Sequence, residues 1–280
     1  MQPTITLLVL GAAVAHSSWN ALAHRVEDRL AGIAVITTAS MLVGIPLIVL
    51  APPPARAAWP FLAASACIHV VYNLLLQLTY RLGDFGRVYP IARGTSPLVV
   101  TVIAALVVAE RPSPLQAAGI LAISAGLASL VLLGRRVVRA EAPAVGAAFA
   151  TGLVIAAYTA IDGVGVRRSG SPAAYVGWLV VLYWAPVALV ALKVRGRRLL
   201  PAARRAALPG AIGGVLSVLA YGLVLYAQTR GALAPIAALR ETSIVIGAAI
   251  GAIWFHERFG HARIVATVLV VAGIVLLNVP

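Results

Sequence analysis

The stretches Ile91-Ala92-Arg93-Gly94-Thr95-Ser96-Pro97 and Ala238-Leu239-Arg240-Glu241-Thr242-Ser243-Ile244 coincide when one half of the chain is slid against the other by 147 positions. Arg93 then falls on Arg240, Thr95 on Thr242 and Ser96 on Ser243. Further along, Glu110 meets Glu257, Arg111 meets Arg258 and Gly126 meets Gly273. Each stretch sets an arginine inside an otherwise apolar run, where a charge is costly. The pattern reads as a chain built from two copies of one unit.

Composition says which solvent the units face. Of 280 residues, 61% are hydrophobic and 11% charged, and the mean hydropathy is +0.99. Soluble domains carry about 45–50% apolar and about 25% charged residues. A bilayer is the natural solvent for such a chain, and only helices or closed barrels span one. Apolar runs of about 20 residues suit helices, whereas barrel strands alternate over about 10. The fold class is therefore all-α integral membrane. The net charge of +14 lies in short arginine clusters between the runs. No basic face with interleaved aromatics accompanies it, so no nucleic-acid partner is expected. Cys67 is alone, which excludes an intramolecular disulfide. Met1-Gln2-Pro3-Thr4 lacks a basic region and reads as the start of a first span. Lysine supplies one of the 22 basic residues, and Ala, Val, Gly and Arg are abundant, a bias that suggests a high-GC bacterial source. The expected location is the bacterial inner membrane, as a multi-pass protein.

Ten spans follow, at roughly 3–23, 30–51, 58–80, 86–109, 114–134, 144–166, 173–192, 208–229, 231–255 and 260–279. Charge or turn residues such as Pro52-Pro53-Pro54, Glu110-Arg111-Pro112, Arg167 to Pro172 and Lys193 to Arg205 divide them. Five spans per unit is an odd number, so the second copy enters from the opposite side. The prediction is ten transmembrane helices as two inverted five-helix repeats, residues 1–138 and 139–280, with a site near the midplane between them. In the first helix of each unit an offset of 142 brings Asn20 onto Asp162 and Arg25 onto Arg167; in the third, 149 brings Tyr72 onto Tyr221. Loops after odd-numbered helices hold 15 basic residues against 5 after even-numbered ones. The positive-inside rule then places both termini outside the cytoplasm.

Arg240 lies about nine residues into its span, roughly 13 Å of helix rise. Arg93 is nearer its helix start, from which its side chain can snorkel to the interface. Paired guanidinium forks suit a carboxylate or phosphate; the alternative is a structural ion pair, for instance Arg240 with Asp162. Pro90, Pro97 and Pro235 lie mid-span, where proline frees a carbonyl for a cavity or neighbouring helix. Glu241 and Asp162 are the carboxylates within spans and the candidates for coupling transport to a proton gradient. Successive helical residues point about 100° apart, so Glu241 need not face Arg240. His16 and Asn20 share a face of the first helix beside Trp19, and His69 and Asn73 repeat that spacing in the third beside Tyr72. Two such faces line one aqueous cleft or make interhelical hydrogen bonds. Two histidines without clustered cysteines or carboxylates make a thin ligand set, so neither metal nor other cofactor is expected. Gly247 and Gly251 have spacing for close helix packing.

His16-Ser17-Ser18-Trp19-Asn20, Tyr89-Pro90-Ile91-Ala92-Arg93-Gly94, the run Ala156 to Gly163 and Ala238 to Ser243, with Glu110 and Glu257 closing their helices, resemble the EamA branch of the drug/metabolite transporter superfamily. The resemblance implies secondary transport by alternating access, without ATP. It implies a central cavity lined by helices 1, 3 and 4 and their partners 6, 8 and 9. The expected protein is an exporter or exchanger, as a monomer or homodimer. Small four-helix relatives use a glutamate in the first helix, where this chain has His16 and Asn20. The expected substrate is a small metabolite bearing a carboxylate or phosphate. Expected binding residues are Arg240, Arg93, His16, Trp19, Asn20, His69, Tyr72, Asn73, Tyr158, Tyr221 and Thr242. A lipid or lipid-phosphate flippase is the alternative. Protease, hydrolase and phosphate-loop motifs are absent, so an enzyme is not expected.

Overall fold

The computed structural model describes residues 1–24, 26, 28–83, 85–132, 142–247 and 260–279. Arg25, Gly251, Glu257, Arg258 and the join at 138/139 lie outside the described residues.

Among those residues the chain is helical and has no strand. The helices are α1 (Pro3–His24), α2 (Arg29–Leu50), α3 (Trp59–Leu82), α4 (Phe85–Val107), α5 (Pro114–Leu132) and α6 (Ala142–Ser169). They continue as α7 (Pro172–Arg195), α8 (Leu199–Arg205), α9 (Ala207–Gln228), α10 (Leu233–Arg240) and α11 (His261–Asn278). All but the short connecting helix α8 occupy the ten positions expected of spans. Seven described segments are long and apolar enough to cross a bilayer. Long apolar side chains face outward, Leu50 at 84% and Leu106 at 80% exposed, while Arg93, Arg240, Glu241 and Asp162 are buried. That distribution suits lipid outside and polar groups satisfied inside. This is a multi-pass membrane protein.

Helix packing pairs the first five helices with the last. α1 packs on α9 and α3 on α6; α4 packs on α6 and α1 on α10; α2 packs on α9 and α3 on α7. α2 meets α7, α4 meets α10 and α5 meets α11. Exchanging helices 1–5 for 6, 7, 9, 10 and 11 in order reproduces these nine pairings, whereas the further packing of α5 on α10 has no equal between α4 and α11 among the described residues. Two of the crossings depend on glycine. A Cβ on Gly44 would lie 2.9 Å from the Gly177 carbonyl, and one on Gly273 would lie 2.7 Å from that of Gly119. Small residues let backbones approach where lipid supplies no hydrophobic drive.

Three expectations change. The ninth span is not one helix: α10 ends at Arg240, Glu241 and Thr242 form a turn, and helix resumes over 243–247. The break lies beyond Pro235, whose place in the first turn of α10 costs no intrahelical hydrogen bond. Arg167 is helical and not in a loop, because no breaker precedes Gly170, whose φ of +67° turns the chain before Pro172. The basic segment Lys193 to Arg205 is not a plain loop either, since it carries the end of α7 and then α8.

Candidate functional site

The tightened turn after α10 organises the centre. Glu241 N–H donates to the Ala238 carbonyl (3.0 Å), Thr242 N–H to that of Leu239 (3.2 Å) and Ile244 N–H to that of Glu241 (3.1 Å). These are three-residue steps, the tighter helical pitch typical of a mid-helix hinge. The Ser17 hydroxyl of α1 donates to the Ser243 carbonyl at 2.6 Å, satisfying a buried group at the break. Such breaks persist within membranes where neighbouring helices satisfy the backbone.

At this turn Glu241 faces both arginines. Its Oε1 accepts from Arg93 Nη1 at 3.2 Å, Arg240 Nη2 at 3.2 Å and Arg240 Nε at 3.4 Å. Arg93 is 3% exposed, Arg240 4% and Glu241 0%. Arg93 therefore does not snorkel, and the ion-pair partner of Arg240 is Glu241 and not Asp162. Adjacent residues meet because the turn departs from regular helix. Arg93 also lies against His16 Nε2 and donates to the Tyr89 hydroxyl at 3.5 Å. Two guanidinium groups and one carboxylate leave one positive charge in excess, in surroundings where removing charges from water costs several kcal/mol per ion.

The arginines form one wall of a cavity of about 200 Å³ between the two groups of helices. From α1 come His16, Trp19 and Asn20, and from α3 His69, Tyr72 and Asn73, with Tyr158 from α6 and Tyr221 from α9. The paired i, i+4 motifs recur structurally: the Asn20 amide donates to the His16 carbonyl (2.8 Å) and that of Asn73 to the His69 carbonyl (2.7 Å). His69 stacks on Tyr183 at 5.3 Å between centroids, lies tilted against Tyr158 at 4.3 Å, and meets Tyr221 edge-on at 5.7 Å. Thr242 is the predicted binding residue that does not line the cavity; it is 2% exposed, turned into the packing around the break. Glu241 and Asp162 also lie behind the lining. Asp162 accepts from the Tyr175 hydroxyl at 2.9 Å and from the Tyr221 hydroxyl, which ties it to the cavity wall.

The cavity deepens from exposed Arg29 and half-buried Gln77 and Tyr80 to buried His69, Arg93 and Arg240. Its mouth is therefore at the α1–α2 end. The opposite end is tied together by Arg167, which donates to the carbonyls of Gln228 and Gly231 (both 2.7 Å) and to Glu110 Oε1 (2.6 Å). Glu110 Oε2 accepts from Leu233 N–H at 2.7 Å, at the start of α10.

Sequence reasoning missed Tyr183, Arg29, Tyr80, Thr37 and Ser217 as lining residues. Tyr183 carried the one usable signal, a polar-tipped ring in the middle of an apolar span. Arg29 sat among loop cations, and isolated hydroxyls are common on packed membrane helices. Among the described residues no group of three metal-ligating side chains occurs.

Residues 142–279 match the family model of the EamA-like transporter family. No curated protein matches the chain. Among the solved structures it resembles is one titled "Crystal structure of protein", with a TM-score of 0.75 at 18% identity. That alignment covers 99% of this chain and 97% of the other, and at such identity it speaks for the fold alone.

Proposed function

From the premise that the chain belongs to the EamA-like transporter family, through the match of its second half, we propose that it is a secondary active transporter of a small organic anion. The observation that carries this is the buried Arg93–Glu241–Arg240 cluster with its excess positive charge on the cavity wall. An arginine within a membrane calls for a partner or a wet cavity, and these two have both. The anion binds among Arg93, Arg240, His16, Trp19, Asn20, His69, Tyr72, Asn73, Tyr158 and Tyr221, with Thr242 supporting the break from behind. Glu241 and Asp162 are the coupling carboxylates.

The two units, residues 1–138 and 139–280, are inverted repeats in this reading, supported by nine helix pairings that survive exchange of the halves. Alternating access then exchanges the mouth at the Arg29 end for one at the Arg167–Glu110 end. With termini outside the cytoplasm, as the loop charges indicate, the mouth faces the cytoplasm of a bacterial inner membrane, where an exporter or exchanger collects its solute. A cavity of about 200 Å³ favours a small solute over the lipid of a flippase. The site's task is binding and release, with no chemical step.

A thermal-shift screen of carboxylates, phosphates and organic cations tests this, since a ligand stabilises the state it binds. Anions are expected to raise the melting temperature of the wild type and not of Arg240→Ala. Stabilisation by cations alone overturns the anion site.

A further inference from the structure

The charges that reach the cavity are all of one sign. Its charged lining is Arg29, Arg93 and Arg240, and among the described residues no carboxylate lines it. Glu241 and Asp162 are both 0% exposed and lie behind the lining; Glu241 Oε1 takes both guanidinium groups while its Oε2 has no hydrogen-bond partner, and Asp162 takes two tyrosine hydroxyls. A substrate ammonium group would therefore enter without a counter-charge, against two cations at the floor. Amines and zwitterions with a free ammonium are disfavoured for that reason.

The number of negative charges follows from the same cluster. While Glu241 is ionised and takes a hydrogen bond from each arginine, the pair offers one net positive charge and not two. A monoanion balances it. A phosphate dianion would leave an uncompensated charge unless Glu241 gave up its place.

Beside the arginines one stretch of the wall is aromatic, and the rest mixes aliphatic side chains with Asn20, Asn73, Gln77, Thr37 and Ser217. His69, Tyr158 and Tyr183 lie in near-stacked or tilted contact, with Tyr72 and Tyr221 edge-on around them. Rings prefer offset-stacked or edge-to-face neighbours, so this wall favours a flat apolar body over a flexible polar one. Size agrees: an apolar cavity of about 150 Å³ takes up benzene, and this one measures about 200 Å³. One ring and a carboxylate fit within it.

We propose that the substrate is a flat, apolar monocarboxylate without an ammonium group, of the aryl carboxylate class. Its carboxylate lies toward Arg93 and Arg240 and its ring among His69, Tyr158 and Tyr183. This rests on the anion-transport reading above and narrows it.

The test is titration of the purified full-length protein with five probes: benzoate, acetate, inorganic phosphate, phenylalanine and benzylamine. The proteins are the wild type, Arg240→Ala and Tyr183→Leu, each first checked for a cooperative melt without ligand. Benzoate is expected to bind at least tenfold more tightly than acetate, which lacks the ring, and than phenylalanine, which adds the ammonium. Tyr183→Leu should weaken benzoate several-fold and leave acetate unchanged, while Arg240→Ala should weaken both. If acetate, phosphate or phenylalanine binds as well as benzoate, the substrate class is wrong and the anion site stands. If benzylamine alone binds, or no probe does, both fall.

Discussion

α4 and α10 carry the same repeated stretch and fold it differently. α4 runs unbroken through Arg93, Gly94 and Thr95, whereas α10 stops at Arg240 and turns at Glu241 and Thr242. The difference lies in what each position meets. Ser17 on α1 satisfies the carbonyl of Ser243, while Thr159, its counterpart on α6 by the offset of 142, has no hydrogen-bond partner for its hydroxyl. The Ser17 hydroxyl thus lies between the carbonyl at the break and that of Ala13 (2.8 Å), whereas the hydroxyl at the counterpart position is left unpartnered. The break also turns Glu241 toward both guanidinium groups, where the first copy has Gly94. One carboxylate in one half of the chain serves the arginines of both, and a repeated stretch of sequence forms an asymmetric site.

Substitutions at counterpart positions separate the halves. The largest effect is expected at Glu241 against Gly94. Glu241→Gln leaves two buried guanidinium groups without their carboxylate and should cost about 3–5 kcal/mol, measured as loss of thermal stability in detergent. Gly94→Ala should stay within about 1 kcal/mol of wild type, because a helical alanine gains nearly that much over glycine against one contact of 3.1 Å to Leu127. Equal losses at the two positions would erase the asymmetry.

A smaller contrast is expected between Gly273 and Gly126, which the 147 offset pairs. A Cβ on Gly273 would lie 2.6 Å from Ile123 Cγ1 and 2.7 Å from the Gly119 carbonyl; one on Gly126 would lie 3.0 Å from its nearest neighbours. Gly273→Ala should therefore cost about 1–3 kcal/mol, the usual range for overpacking, with Gly126→Ala the milder change in the same melt.

Smallest is the pair at the break. Ser17→Ala should cost about 1 kcal/mol, the net worth of one buried hydrogen bond, whereas Thr159→Val removes an unpartnered hydroxyl and should be neutral or slightly stabilising. Matching losses at Ser17 and Thr159 would show that the break does not depend on Ser17.

Much of this arrangement was legible because it is periodic. His16 with Asn20 and His69 with Asn73 share their helix faces as the i, i+4 spacing predicts, and both faces meet the cavity; the two arginines that the sequence offset pairs meet at one carboxylate. What was not legible depends on contacts distant in sequence. Arg93 near its helix start looked able to snorkel, and only the packing of α4 on α10 brings it to Glu241. The turn at Glu241 and Thr242 carries no proline or glycine signal and rests partly on a hydroxyl 226 residues away. Arg167 resembled a loop cation until its helix proved to continue to Ser169, where three acceptors hold it.

The central claim, that the cavity carries an organic anion held by Arg240, is tested most directly in proteoliposomes. Vesicles preloaded with benzoate are given labelled benzoate outside, and exchange is followed with time. Wild-type protein should exchange label at a rate that benzylamine does not compete, and Arg240→Ala, reconstituted in equal folded amount, should lose at least tenfold of it. Equal exchange by Arg240→Ala, or competition by benzylamine, would contradict the claim.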